Sequence, residues 1–162
     1  DYKGASGIYG KGGRHTGIRG IRNMTYASEK AMIALLKDKT HGFGQLIPEK
    51  DMEALAHFVS HGQVDVDIYI ERATKKIKGD PARGERIFQT TCSHCHGTDG
   101  KQINFRTAEN PEYIGTVANE NPWETLHKIR MGQPGVPMIS MLAFDVQDHV
   151  NILAYLQTLP QK

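Results

Sequence analysis

Cysteine is nearly absent from the chain: 162 residues hold two. A disulfide framework of the kind that braces small secreted folds is thereby excluded. Long apolar runs are missing as well, and no stretch approaches the roughly 18 apolar residues that mark a membrane span. Charge of one sign is also lacking. Twenty basic against 18 acidic residues leave a formal +2, which does not indicate a general nucleic-acid or membrane-surface binder. No strand pairs with hairpin signals occur, and no Ser-His-Asp set, phosphate-cradling glycine loop or paired-carboxylate site falls on a defined framework. The opening stretch DYKGASGIYGKGGRHTG has neither the charged n-region nor the apolar h-region of an export signal, which is also how a mature or trimmed chain would begin.

What is present is a helical pattern broken by glycine. Residues 1–20 hold seven glycines and almost no apolar periodicity, which reads as an irregular wrapping loop. A helix is expected from Ser28, its cap, with Met32, Leu35 and Leu36 on one face. A second is expected over PEKDMEALAHFVSHG, with Met52, Leu55, Phe58 and Val59 at helical spacing and Gly62 as its stop. QVDVDIYIERATKKIKG alternates, then becomes charged, and reads as a connector with some helix ending at Gly79. Asp80-Pro81 and Asn121-Pro122 each pair a capping side chain with a proline at the first helical position, where its missing amide costs nothing. A last helix is expected from Asp145 through VNILAYLQTL to a stop at Pro160. The class is all-α, in one medium domain or two small ones. In the second case each part has about 80 residues, a size at which an apolar core alone gives marginal stability and a bound cofactor helps most.

Both cysteines sit in TTCSHCHGTDGK, residues 90–101. A thioredoxin-like redox pair needs a strand leading into a helix, and here the motif follows a helix. Structural zinc needs four ligands, and the other histidines are scattered without a second pair. Cys92-Ser93-His94-Cys95-His96 fits covalent attachment of a c-type haem better than either. Three residues are close to one helical turn, so both sulfurs can face one porphyrin and form thioethers with its two vinyl groups. His96 is then placed to present a ring nitrogen to the iron. For the opposite face, GQPGVPMISM supplies Met138, which follows Pro137 in a stretch held extended by two prolines. Met141 and Met131 are alternatives; Met131 sits at a helix end, and Met141 also suits a core.

These residues resemble a class I cytochrome c domain. The resemblance covers residues 80–162: GDPARGERIFQTTCSHCHGTDGK, the loop PGVPMISM and the terminal helix VNILAYLQTLP, in the family's order. The methionine is commonly followed by proline in that family, and here Ile139 follows. The resemblance implies a helix crossing the C-terminal helix, with Gly84 and Phe88 against Tyr155. Trp123, Arg130 and Lys101 are candidate donors to the haem propionates, with plain surface charge as the alternative for Arg130 and Lys101.

The first half, residues 1–79, reads as a second cytochrome c-like domain without its own attachment motif. An offset of 97 residues lays Asp51 on Asp148, Leu55 on Ile152, Phe58 on Tyr155 and His41 on Met138. DYKG also resembles the segment after the haem motif in the leading domain of two-domain cytochromes, so an attachment motif is expected just before Asp1. His41 is the expected distal ligand of a first haem, if one exists, with His15 in reserve and an exposed loop histidine as the alternative for each.

The family resemblance implies an electron carrier whose iron cycles between ferrous and ferric, with redox protein partners docking at the exposed haem edge. It implies the bacterial periplasm, since thioether formation uses an export-side maturation route. Two other classes stay open: a subunit of a larger oxidoreductase complex, and a di-haem enzyme of the peroxidase or thiosulfate dehydrogenase type.

Overall fold

The computed structural model describes residues 2–4 and 20–161. Apart from 2–4 and 20, the wrapping loop expected over residues 1–20 lies outside the described residues, as does His15. The chain divides into two compact units, Asp1–Asp65 and Val66–Lys162. Among the described residues there are helices and no strands; isolated bridges join Ile70 to Ile77 and Gln133 to Met138.

In the first unit, α1 spans Glu29–Lys37 and α2 spans Glu49–His57. Ser28 caps α1 as expected, its hydroxyl accepting from Ala31 N. The widened π turn Phe58–Gly62 prolongs α2 to the expected glycine stop. Met32, Leu36, Met52, Ala56 and Val59 form the core, with Leu55 and Phe58 packed against it. Leu35 is not part of it: at 39% exposure it lies at the edge of the apolar face rather than on it.

The second unit begins with the connector, which packs there through buried Val66, Ile70 and Ile77. Lys75 Nζ donates to Glu120 O at 2.6 Å, and Gln157 Nε2 donates to Lys75 O at 2.9 Å. Next come α3 (Pro81–Ile87), a π turn (Phe88–Cys92) and the short α4 (Ser93–His96) in unbroken succession. After a long loop follow α5 (Ile114–Glu120), α6 (Pro122–Met131) and α7 (Val146–Leu156). The caps are those the sequence names. Asp80 Oδ1 accepts from Ala82 N and Arg83 N, Asn121 Oδ1 from Glu124 N, and Asp145 Oδ1 from Asp148 N.

α7 is the axis of this unit, with every residue from Asp148 to Leu156 buried. α3 lies against it so closely that a Cβ on Gly84 would collide with the carbonyl oxygen of Asn151. Phe88, fully buried, meets Tyr155 with ring centroids 5.3 Å apart. Burying a side chain of that size stabilises by about 2–3 kcal/mol. Asp80 N donates to Asn151 Oδ1 at 2.9 Å, and Arg83 Nε donates to Asp148 Oδ1 at 2.7 Å, fixing the register of the two helices. The expected contact of Gly84 and Phe88 with the terminal helix is therefore present.

Candidate functional site

The pair Cys92 and Cys95 lies where α3 runs through its π turn into α4. Cys92 closes the π turn and is partly buried; Cys95 is exposed. Thr90 and Ser93 turn their hydroxyls back onto the carbonyls of Arg86 and Gln89, holding this bend together. Burial, helped by the neighbouring Cys95, pushes the Cys92 thiol up to about 11. Neither cysteine is joined to another. His96 ends α4, partly buried beside Phe105 with ring centroids 6.5 Å apart. Its Nδ1 is buried without a hydrogen-bond partner, and burial lowers the pKa of the ring. A neutral imidazole is the form that ligates a metal.

α6 contributes two further orphans. Trp123 is 3% exposed and Arg130 is 7% exposed, and Trp123 Nε1 and Arg130 Nε both lack a hydrogen-bond partner. They are seven residues apart on one helix, hence on the same face. A cation buried without an anion costs several kcal/mol, so Arg130 calls for an acidic group that the chain does not place at its Nε. Arg130 is thus not the surface charge that the sequence left as an alternative. Lys101 is half-buried, its ammonium over the ring of Tyr113 at 5.1 Å.

The loop between α6 and α7 is tied at several points. Met141 N donates to Arg130 O at 3.1 Å, Ser140 Oγ to the same oxygen at 2.8 Å, and Met138 bridges Gln133. Gly132, at φ +75°, lets the loop turn back; a Cβ there would lie 2.6 Å from Met138 O. Met138 is partly buried in this loop, whereas Met141 is 6% exposed and its carbonyl meets Nε2 of buried His149 at 2.7 Å. Met131 is the last residue of α6. Apolar side chains stand uncovered on the two loops that flank α5 and α6: Ile103, Phe105, Val136, Ile139, Leu142 and Phe144, at 37–65% exposure.

A haem fits these residues. It would bring two vinyl groups for Cys92 and Cys95, iron for a neutral His96, two carboxylates for the Trp123 and Arg130 donors, and an apolar plate for the uncovered side chains.

His41, the other expected ligand, belongs to the first unit. It lies in an exposed turn after α1, its Nδ1 3.1 Å from Asp38 Oδ1. The backbone amides of Thr40 and His41 also donate to that oxygen, both at 2.8 Å. The hydrogen bond from His41 N is the leading cause that holds the Asp38 carboxyl below its ordinary pKa. Sequence reasoning missed α5 and did not foresee the buried His149. α5 has a tyrosine at its cap and only seven residues, too short for Ile114, Val117 and Ala118 to stand out as a helical pattern.

Helices packed on a buried terminal helix, with Cys-x-x-Cys-His at the end of the first, define a c-type cytochrome. More particularly, residues 79–156 match the family of cytochrome c oxidase, cbb3-type, subunit III. The chain is 28% identical to the cytochrome c-type cyt cy of Rhodobacter capsulatus, over 57% of this chain and 56% of that protein. It is also 28% identical to a cytochrome c-553-like protein of Synechocystis, over 59% of this chain and 84% of that protein. The chain thus spans little more than half the length of the first of these relatives. No solved structure matches. The fold is all-α and cytochrome c-like, and a haem c is the cofactor that the family implies. Among the described residues no helix is long and apolar enough to cross a membrane.

Proposed function

We propose that the chain is an exported one-electron carrier, working in the bacterial periplasm, with one haem c tethered through Cys92 and Cys95. His96 is its proximal ligand and Met138 its distal one. The observation that carries this reading is the pair of buried donors on α6, Trp123 Nε1 and Arg130 Nε, left without partners in the half that holds the attachment motif. When bound, the haem supplies an Fe(II)/Fe(III) couple, and a methionine ligand favours the ferrous state.

The chain's own part is to hold geometry constant. His96 is fixed at the end of α4, and Gly132 and the tethers to Arg130 O keep the methionine loop in place. Small rearrangement between oxidation states is what rapid electron transfer requires. Met138 is preferred to Met141 because the Met141 backbone is anchored on His149 and its side chain is already in the core. The uncovered apolar side chains around the loops form the edge on which redox proteins dock.

Two extensions rest on specific observations. The match to an oxidase subunit favours work as an electron-transfer subunit of a larger complex. The carboxylate on His41 Nδ1 resembles the support that metal-binding histidines carry, which favours His41 as a ligand should the first unit, read as a second cytochrome c-like domain, hold a haem.

Production alongside a cytochrome c maturation system tests the main reading. The protein should stain for covalent haem, and its ferric spectrum should show the far-red band of methionine sulfur on iron. A non-covalent haem, or a spectrum without that band, would contradict it.

A further inference from the structure

Away from the haem-binding half, three side chains of the first unit converge on one spot. Glu29 is the first residue of α1, His57 the last of α2, and His61 lies one turn further, within the π turn. Glu29 Oε1 is 2.8 Å from His57 Nδ1 and 3.4 Å from His61 Nδ1. The two imidazoles are stacked, with centroids 5.0 Å apart and planes inclined by 23°. One ligand atom from each of the three residues lies within 4.8 Å of the others.

The sequence builds this locally. Spacing of four residues puts His57 and His61 on one helix face. The Ser28 cap starts α1 so that Glu29 falls in its first turn. The Tyr26 ring stands edge-on to His61, at 6.3 Å between centroids, and closes one side.

Donors bound to tetrahedral zinc at about 2.0–2.1 Å stand about 3.3 Å from one another. Two sides of the triangle are already near that length, and the third closes by small side-chain rotation. Two imidazoles and one carboxylate suit zinc and its borderline neighbours; an oxygen-only set would suit magnesium or calcium, and thiolates would suit cuprous copper.

We propose that Glu29, His57 and His61 bind one divalent cation of the zinc class, with water completing the shell. Such a cation ties the start of α1 to the end of α2, in a unit whose buried apolar core, among the described residues, is five side chains. A ligand that binds only the folded form stabilises it by mass action, and a small core leaves that contribution most visible.

The test uses the full, tag-free, haem-loaded chain after chelator treatment, titrated with zinc chloride against a chromophoric chelator. One zinc per chain should bind, and zinc should raise the thermal midpoint of the first unit. His57→Ala and His61→Ala should each weaken binding by about tenfold or more, and Glu29→Gln by less. All three should keep the wild-type circular dichroism in the presence of chelator. His127→Gln, elsewhere in the chain, should bind as wild type does. Equal binding by wild type and the His57→Ala/His61→Ala double variant, or no binding by wild type, would overturn the proposal.

Discussion

The roles of individual side chains separate most cleanly at the distal methionine. Met138→Ala should abolish the far-red band and lower the reduction potential, because it removes the sulfur proposed to face the iron. Met141→Ala should keep the band and cost about 2–5 kcal/mol, the usual range for truncating a buried methionine. Paired spectra and denaturant titrations check both; the reverse pattern would exchange their roles. Arg130→Gln removes the cation expected to face a propionate and should lower the potential, because a nearby positive charge favours the ferrous form. Cys92 governs a pH effect in the haem-free chain. Its folded-state pKa is raised from 9.0 to about 11, so its contribution to stability is complete below pH 9 and is lost as pH rises through 11. Denaturation midpoints of haem-free protein between pH 8 and 11 should fall accordingly, and Cys92→Ser should flatten that slope. The attachment motif was legible because both cysteines and the histidine are contiguous. Arg130 was named as a candidate donor, but its burial was not legible, since nothing local in PWETLHKIRM tells which of its charges is covered by tertiary packing.

Among the helices, those that declared themselves carry a cap and a stop that act locally. Ser28, Asp80, Asn121 and Asp145 all cap as their sequence contexts imply. α5 escaped because its cap is Tyr113 and its stability comes from burying Ile114 and Ala118 in the tertiary fold. The π turns after α2 and α3 were equally hidden, since apolar spacing over five residues does not distinguish them from α-helix. The contact of α3 with α7 is the most demanding join. Gly84→Ala should cost about 1–3 kcal/mol through overpacking against the Asn151 carbonyl, and more if the helices cannot part. Asp145→Ala should cost about 1 kcal/mol by leaving the amide of Asp148 uncapped. Thermal unfolding of the haem-loaded protein ranks the two; a Gly84→Ala protein as stable as wild type would contradict the close approach.

For the whole molecule, the sequence suggested a division at residue 79, whereas the compact units part at Asp65. The difference is the connector, whose Ile70 and Ile77 bury in the second unit although its surroundings are charged. Alternation over a few residues showed that one side is apolar but not which core receives it. The account as a whole rests on covalent haem in that second unit. Its most direct test is intact-protein mass spectrometry of the chain produced with cytochrome c maturation, beside Cys92→Ala/Cys95→Ala. The account predicts a mass increase of one haem located on the peptide holding Cys92 and Cys95, absent from the double variant. An unmodified mass with two titratable thiols in the parent chain would contradict it.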